Sequence, residues 1–420
     1  MAKKKNMKLK DTIKTVIKEI KTSKTKFNLS EMLTIALVAV LIGILLGSST
    51  AYHSENITVT KIPEDLEEFI STYNNINDNY YDKVKKKDLI DAAIKGMIGS
   101  LEDPYTEMLE NEASTTFNEN VDGEYVGIGA AVSYNGETFT VAEMYNDSPA
   151  KKSGIEVGDQ IIEIDGKSVA GLKLEKVSKL IKGKKNTKVK IKILRNNEEK
   201  VYSLKRSKIA VPSVISEIIE KDNKKIGYIS IDIFSTNTDT QFEKQLKKLE
   251  KQKISSLIID VRNNPGGHLT EVTNILKLFM KKNKVLYNIE KQGNIKKVKD
   301  NSKEYRKYDV VVLINNSSAS ASEILASTFK DVYGAKLVGK TTYGKGTIQT
   351  AYQLSSGSTI KYTTQKWLTS KGKWINQKGV SPDYVVDLGD EYYKDPTKEK
   401  DNQMQKAIEL LTKQKEENTK

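Results

Sequence analysis

The sequence contains no cysteine and only two histidines among its 420 residues. Without cysteine, the chain has no structural disulfide, no cysteine-ligated zinc and no cysteine nucleophile. His53 and His268 are the only histidines, which limits both metal sites and any histidine-based catalytic triad. The sequence also shows no internal repeat and no long low-complexity segment. A catalytic function would therefore depend on other nucleophiles and bases.

The basic charge of the chain is unevenly distributed. The formal net charge is +14, and residues 1–30 hold ten lysines against Asp11 and Glu19, a net of +8. All later residues together share only +6. A groove that binds nucleic acid needs basic residues spread along a surface, whereas this excess lies beside one apolar segment. We therefore expect no nucleic-acid partner.

That apolar segment runs over 32–52 and contains no charged residue. About 20 apolar residues are needed to cross a bilayer as a helix, and a lysine-rich flank stays in the cytoplasm. The segment therefore predicts a single-pass cell-membrane anchor, with a cytoplasmic N-terminus and an extracytoplasmic main part. The alternative is a cleaved signal peptide, with Ser49 and Ala51 at the cleavage site. The long basic segment before it favours the anchor.

Periodicity and turn residues divide the chain into segments of different character. Helical spacing of apolar residues follows the apolar segment, and short β-type runs separated by Asn-Gly and Asp-Gly turns come next. Strands then alternate with helices, which indicates an α/β core. The predicted segments are a basic stretch at 1–31, an anchor at 32–52, a helical region at 53–120, a β-rich domain at 121–208, an α/β core at 209–388 and a helical tail at 389–420.

The β-rich domain begins with the string Tyr125-Val126-Gly127-Ile128-Gly129-Ala130. It lacks the third glycine of a dinucleotide-binding loop, and its glycines could simply make a tight strand entry. The strings that follow, Ser148-Pro149-Ala150, Val157-Gly158-Asp159 and Ile164-Asp165-Gly166, make the domain resemble a PDZ domain of bacterial proteases. That resemblance implies that Gly127, Ile128, Gly129 and Ala130 bind a peptide's terminal carboxylate, and that the peptide adds as a strand.

A second motif, Asp260–Gly267, joins a predicted buried strand to a helix. Its paired glycines, Gly266 and Gly267, allow close approach of the backbone and leave amides free for an oxyanion. A plain strand–turn–helix connection would explain the motif equally well.

A serine-rich motif, Asn315–Glu323, also stands between a strand and a helix. Ser320 and Glu323 have the spacing of a capping box, and most serines in that pattern are helix caps. A serine at a helix start is nevertheless well placed for catalysis, because the helix amides there stabilise negative charge.

A fourth motif, Gly339–Gln349, resembles a P-loop, but Gly346 stands where magnesium ligation needs Ser or Thr. We therefore reject a nucleotide site. If a strand follows Gly346, then Lys345, Thr347 and Gln349 share one face. A buried lysine there would have a lowered pKa and could act as a base, although most lysines of this chain must be solvated.

Together these strings resemble the carboxyl-terminal processing peptidases, also called tail-specific proteases, over residues 63–411. Further strings that carry the resemblance are Leu101–Tyr105 and Gly379–Asp383. The resemblance implies a ClpP/crotonase-like α/β core with an inserted PDZ domain. It also implies site roles, namely Ser320 as nucleophile, Lys345 as base, Gln349 as the residue that orients the lysine, and Gly266, Gly267 and Ala321 as oxyanion amides.

The expected function is a membrane-anchored serine endopeptidase that captures unfolded substrates with apolar C-termini and needs no metal or organic cofactor. The sequence leaves open whether the chain forms a homo-oligomer. One rival is a non-catalytic PDZ adaptor on a protease scaffold, and the intact Ser320, Lys345 and Gln349 argue against it. A second rival is an acyl-CoA enzyme, which the anchor and the PDZ-like strings disfavour. His268, beside the glycine pair, is an alternative base, but no acidic residue is evident to orient it.

Overall fold

The computed structural model describes residues 63–302 and 305–413. The chain divides into two units after Ile90, so that the first holds helix α1 (Glu64–Asn79) and the start of α2 (Lys86–Gly99). The predicted basic segment and anchor lie outside the described residues. Within the ranges that are described, no helix is both long and apolar enough to cross a membrane.

The region predicted as helical up to residue 120 contains one strand as well. Helices α1, α2 and α3 (Asn111–Asp122) confirm the helical spacing, but β1 (Glu107–Leu109) interrupts it. This strand pairs antiparallel with a distant strand, residue Glu107 opposite Lys361. Three residues carry too little periodicity to show such a pairing in the sequence.

The β-rich domain is built around a sheet of order β3-β4-β5-β7-β8, with β6 on β5 and a separate β2–β9 pair. The string Tyr125–Ala130 is divided between β2 and β3, because Gly129 turns the chain with a φ of +76°. The elements are β2 (Glu124–Gly127), β3 (Ala130–Tyr134), β4 (Phe139–Met144), α4 (Pro149–Ser153), β5 (Gln160–Ile164), β6 (Lys167–Ser168), α5 (Leu174–Ile181), β7 (Lys188–Arg195), β8 (Glu198–Lys205) and β9 (Ser207–Ala210).

A six-stranded sheet of order β10-β11-β12-β15-β16-β19 forms the α/β core, and only its β10–β11 pair is antiparallel. Leu257 and Ile259 face one apolar cluster while Ile258 faces another, so both sides of the sheet are buried. The elements are β10 (Val214–Lys221), β11 (Lys224–Ile231), α6 (Thr238–Lys251), β12 (Ser256–Asp260), α7 (Leu269–Lys277), β15 (Asp309–Ile314), α8 (Ala321–Thr328), β16 (Lys336–Gly339), β19 (Tyr384–Val385), α9 (Asp390–Lys394) and α10 (Asn402–Lys413).

A second, antiparallel sheet is absent from the sequence prediction. Its order is β1-β18-β13-β14, and β17 pairs with β18. Trp367 of β18 is fully buried and joins this sheet to the core. The β13–β14 hairpin has an exposed, lysine-rich face. Its sequence therefore lacks the alternation of apolar and polar residues by which strands are predicted. The strands are β13 (Val285–Lys291), β14 (Asn294–Lys299), β17 (Thr347–Gln353) and β18 (Thr359–Thr369).

Helix α3 connects the β-rich domain to this second sheet. Its Glu112 and Glu119 form ion pairs with Lys179 and Lys182, at 2.6 and 2.5 Å. On the other side, the hydroxyls of Ser114 and Thr359 are 2.7 Å apart. The helix therefore contacts both parts of the second unit through polar groups.

Candidate active site

Three of the sequence motifs follow neighbouring parallel strands. The glycine turn follows β12, the serine motif follows β15 and the lysine loop follows β16, and β15 lies between the other two. Because parallel strands end at one edge of their sheet, these loops meet there, at the usual position of a site in an α/β fold.

Ser320 precedes helix α8 in a strained backbone conformation, with φ 54° and ψ −112°. Residues with a side chain seldom adopt this conformation, and such outliers concentrate at functional sites. The predicted capping box is present, and in it the Glu323 carboxylate accepts the Ser320 N–H at 2.8 Å.

The neighbouring serines differ from Ser320 in how their hydroxyls are used. Ser318 and Ser322 are fully buried, and their hydroxyls donate to the carbonyls of Val261 and Asn264 at 2.7 and 2.9 Å. Ser320 is only half-buried. Among the hydrogen bonds of the described residues, its hydroxyl donates none. Ser320 therefore differs from Ser318 and Ser322 in having a hydroxyl that no carbonyl of the described residues engages, while Ser317 of the same run is exposed.

The glycine turn lies directly against Ser320. A Cβ on Gly266 would stand 2.8 Å from the Ser320 Cβ and 2.8 Å from the Ala319 carbonyl oxygen. Only glycine fits this position, whose φ is +105°. The Gly266 N–H, however, donates to Asn264 Oδ1 at 2.8 Å, so that amide is already used. The other two predicted oxyanion amides, those of Gly267 and Ala321, have no acceptor within the described residues.

Glu323 joins the serine helix to the lysine loop. Its side chain is fully buried. One carboxylate oxygen accepts the Thr342 hydroxyl and the Gly344 N–H, at 2.6 and 2.7 Å. The other accepts the N–H groups of Ser320 and Lys345, each at 2.8 Å. Burial raises the pKa of Glu323, and these four hydrogen bonds oppose the shift.

Lys345 is fixed at its backbone and half-buried at its side chain. Besides the bond from its N–H to Glu323, its carbonyl accepts Trp367 Nε1 at 2.8 Å. The flanking Gly346 is required, because a Cβ there would stand 2.6 Å from Trp374 Nε1. Burial, reinforced by the charge of Lys361, lowers the pKa of Lys345 to about 8. An amine with this pKa is partly neutral near neutral pH.

The side chains predicted to form the dyad share the site but are not bonded to one another. No hydrogen bond between Ser320 Oγ and Lys345 Nζ occurs in the described part of the chain. The Lys345 ammonium instead lies 5.0 Å from the centre of the Tyr105 ring. Gln349 shares the face of Thr347, as expected, but its amide donates to Thr347 and Thr363 at 2.9 and 3.0 Å. Gln349 therefore does not orient Lys345 in this structure.

His268, the alternative base, lies at the start of α7, where its Nε2 is 3.4 Å from the Thr236 hydroxyl. No hydrogen bond in the described ranges connects it to Ser320.

The predicted carboxylate loop of the β-rich domain has its carbonyls turned inward. Ile128 O accepts the Ala150 N–H at 2.9 Å, and Gly129 O accepts the Tyr145 N–H at 3.0 Å. The Gly129 N–H faces the hydroxyl of Tyr125, a half-buried residue. The Lys182 ammonium lies 5.0 Å from the Tyr125 ring centre, which places a cation beside the loop.

Sequence reasoning missed several residues that build the site. Asn264 is fully buried and binds the Ile231 carbonyl as well as the glycine turn. Arg262 of the same motif is structural, because it pairs with Asp260 and Asp401 at 2.7 and 2.8 Å. Trp367 gave no signal except that the chain has only two tryptophans.

A strained serine, a glycine turn against it and a half-buried lysine, in a chain with a separate β-rich domain, indicate a serine peptidase. Family models agree with this class. The model described as peptidase family S41 matches residues 225–386, the PDZ domain model matches 115–194, and the model of the activating protease CtpB N-terminal domain matches 46–113.

Curated relatives place the chain in a family. It is 36% identical over 359 residues to the probable CtpA-like serine protease of Staphylococcus haemolyticus, covering 84% of this chain and 72% of that protein. It is 37% identical over 326 residues to the probable CtpA-like serine protease of Staphylococcus aureus strain N315, covering 77% of this chain and 65% of that protein. Among solved structures, it is similar to the photosystem II D1 C-terminal processing protease, with 27% identity, coverage of 78% and 94%, and a TM-score of 0.46. The chain belongs to the S41 family of serine peptidases.

We predict that Glu323→Gln disrupts the site. A glutamine amide has one acceptor oxygen, so two of the four donors lose their acceptor and face an NH₂ group. Unsatisfied buried donors cost about 1–3 kcal/mol each. We therefore expect the free energy of unfolding to fall by about 2–4 kcal/mol in urea titrations, and kcat to fall more than KM rises. Glu409→Gln, at a half-buried side chain on α10 whose ion pairs lie at the surface, is the control, and equal stability of the two variants would contradict the role of Glu323.

Proposed function

We propose that this chain is an extracytoplasmic endopeptidase that cleaves with a dyad of Ser320 and Lys345 after capturing the C-terminus of its substrate. The observation that carries the proposal is the set of bonds to Glu323, which holds the backbones of Ser320 and Lys345 on one carboxylate oxygen. A lysine with a lowered pKa and a serine whose hydroxyl donates no hydrogen bond among the described residues then share one site.

In the first half-reaction, the Ser320 oxygen attacks the peptide carbonyl carbon while its proton passes to neutral Lys345. In this proposal the N–H groups of Gly267 and Ala321 stabilise the oxyanion. Collapse of the intermediate breaks the C–N bond, and the Lys345 ammonium returns the proton to the leaving amine. The product is an ester between Ser320 and the acyl part of the substrate.

In the second half-reaction, water attacks the ester carbonyl and gives a proton to Lys345. The ester bond breaks, the carboxylic acid leaves and Ser320 regains its proton. Both half-reactions need the Lys345 amine beside the Ser320 oxygen, at about 3 Å. The amine has to leave the Tyr105 ring to reach it, and a lysine side chain has the rotatable bonds for this movement.

We predict that Lys345→Arg is as inactive as Lys345→Ala, because a guanidinium does not deprotonate at working pH. Loss of a general base lowers kcat/KM by about 10²–10⁴-fold. Ser320→Ala should abolish turnover. In the unmodified enzyme, activity needs the neutral amine, so kcat/KM should rise with pH through a midpoint near 8.

The measurement is kcat/KM on one unfolded protein between pH 6 and 10, a span chosen to bracket that midpoint. Exposed neighbours, Ser317→Ala and Lys340→Arg, are the controls. His268→Ala should keep most activity. An active Lys345→Arg, or a folded but inactive His268→Ala, would transfer the base role away from Lys345.

We further propose that the Gly127–Ala130 loop binds the terminal carboxylate of the substrate, with an apolar side chain beside it. The turned-in carbonyls support this role, and the Lys182 ammonium, which is paired with Glu119, lies nearby. A non-catalytic adaptor, the rival interpretation, would have the same loop. Only the Ser320 and Lys345 variants therefore distinguish a peptidase from an adaptor.

We predict that a peptide amidated at its C-terminus binds the full chain, carrying Ser320→Ala, about 10–100-fold more weakly than the free acid. A hydrogen bond to a charged group contributes about 1.5–3 kcal/mol, and the amide loses that charge. Lys182→Met should reduce the difference between acid and amide, whereas Lys179→Met, one turn earlier on α5, should not. Equal Kd values for acid and amide would exclude the loop as a carboxylate site.

For location, we propose the single-pass anchor over 32–52, supported by its charge-free length and its basic flank.

The resemblance of the α/β core to ClpP/crotonase-like folds also stays a prediction.

We predict that protease added to intact spheroplasts or protoplasts digests everything after Tyr52. A main domain that is protected until lysis would show that the orientation is reversed.

A further inference from the structure

The segment Asp103–Glu107 lies over the proposed base. It comes from the string Leu101–Tyr105, to which the reaction above gives no role. The Tyr105 ring is the group that contacts Lys345 Nζ, with 5.0 Å between the nitrogen and the ring centre. This distance is within the range of a cation–π contact.

The second sheet holds this segment in place. The Thr106 hydroxyl donates to Asp103 Oδ2 at 2.6 Å and accepts the Thr363 N–H at 3.1 Å. The Tyr105 N–H donates to Asp103 Oδ1 at 3.1 Å. Glu107 then begins strand β1 opposite Lys361 of β18. The contacts of Asp103, Thr106 and Glu107 therefore hold the backbone on both sides of Tyr105.

Few polar groups compete with the ring for the Lys345 amine. Within the described ranges, Nζ has no hydrogen-bond acceptor and no carboxylate within ion-pair distance. Both Lys345 and Tyr105 are half-buried, and the ring closes one side of the amine to water. The Tyr105 hydroxyl neighbours that of Tyr343, in the same loop as Lys345.

Charged and titratable groups surround the amine from every packed element. Burial is the largest cause of the lowered pKa of Lys345, and Lys361 lowers it further. The carboxylates oppose the shift. The groups are Asp103 and Tyr105 in the covering segment, Glu107 on β1, Lys361 on β18, Glu323 on α8 and Tyr343 in the lysine loop.

We propose that Tyr105 is a positioning residue for Lys345, whose ring keeps water from the amine and confines its movement to the side of Ser320. This inference rests on the proposed function, because it assumes that Lys345 is the base.

The ring has two effects on the proton affinity of the amine, and they have opposite signs. Its π face attracts the ammonium and favours protonation, whereas its bulk excludes water and disfavours protonation. Burial is the largest cause of the lowered pKa of Lys345, and the ring is one of the groups that lie against the amine. Removing the ring should therefore make Lys345 more basic, with a pKa nearer to its usual value of about 10.4.

The experiment measures the rate at which a fluorophosphonate probe phosphonylates Ser320, with release of fluoride, between pH 6 and 11, in the full chain. This rate reports nucleophile activation without peptide capture. For Tyr105→Ala, we expect the midpoint to move from about 8 to higher pH, by about one unit. The rate at pH 7 should then fall about tenfold and recover at high pH. Tyr105→Phe, which keeps the ring, should change the rate less than about twofold, since the ring and not the hydroxyl excludes the water.

Tyr352→Ala, which removes an exposed tyrosine from β17, is the matched control and should leave the profile unchanged. If Tyr105→Ala does not fold, Tyr105→Gln removes the ring at similar length and should shift the midpoint in the same direction. A rate lowered equally at every pH, with an unmoved midpoint, would overturn the inference and leave Tyr105 a structural role. A fully reactive Lys345→Ala would instead overturn the base assignment itself.

Discussion

The site depends on one buried carboxylate. Glu323 accepts four hydrogen bonds, two from the serine and lysine backbones and two from the loop between them. A carboxylate without partners in this position would be strongly destabilising, so the four donors and the acceptor require one another. The helix that starts at Ser320 and the loop that carries Lys345 can therefore form only together.

Close packing at this carboxylate explains the other features of the site. The strained Ser320 backbone is fixed on one side by Glu323 and on the other by Gly266, where no side chain fits. The same compactness desolvates Lys345, which is the main cause of its lowered pKa. The strained backbone of Ser320 and the lowered pKa of Lys345 thus both result from close packing. This is a frequent property of sites that need a neutral amine.

Contacts from outside the α/β core complete the arrangement. The Tyr105 segment reaches Lys345 from the N-terminal region, and it does so by adding a short strand to β18. Helix α3 contacts the same strand through Ser114 and contacts the β-rich domain through Glu112 and Glu119. Strand β18, which pairs with the segment that shields the proposed base, is therefore also connected through α3 to the domain expected to capture the substrate.

The sequence by itself determined the buried strands of the parallel sheet, the helices between them and the motifs that bear the chemistry. These features are local, because apolar runs, turn residues and capping patterns act within a few residues of one another. Ser320 and Lys345 are singled out by the resemblance of their motifs to a peptidase family and not by these local patterns, and both motifs lie at one edge of the sheet.

Only the tertiary structure decided the rest. The strands of the second sheet, the use of the Gly266 amide by Asn264 and the Tyr105 contact all join residues far apart in the chain. The direction of the Gln349 amide, towards Thr363 and not towards Lys345, was likewise set by strand pairing. Such contacts depend on which surfaces meet after folding, and local patterns carry no information about that choice.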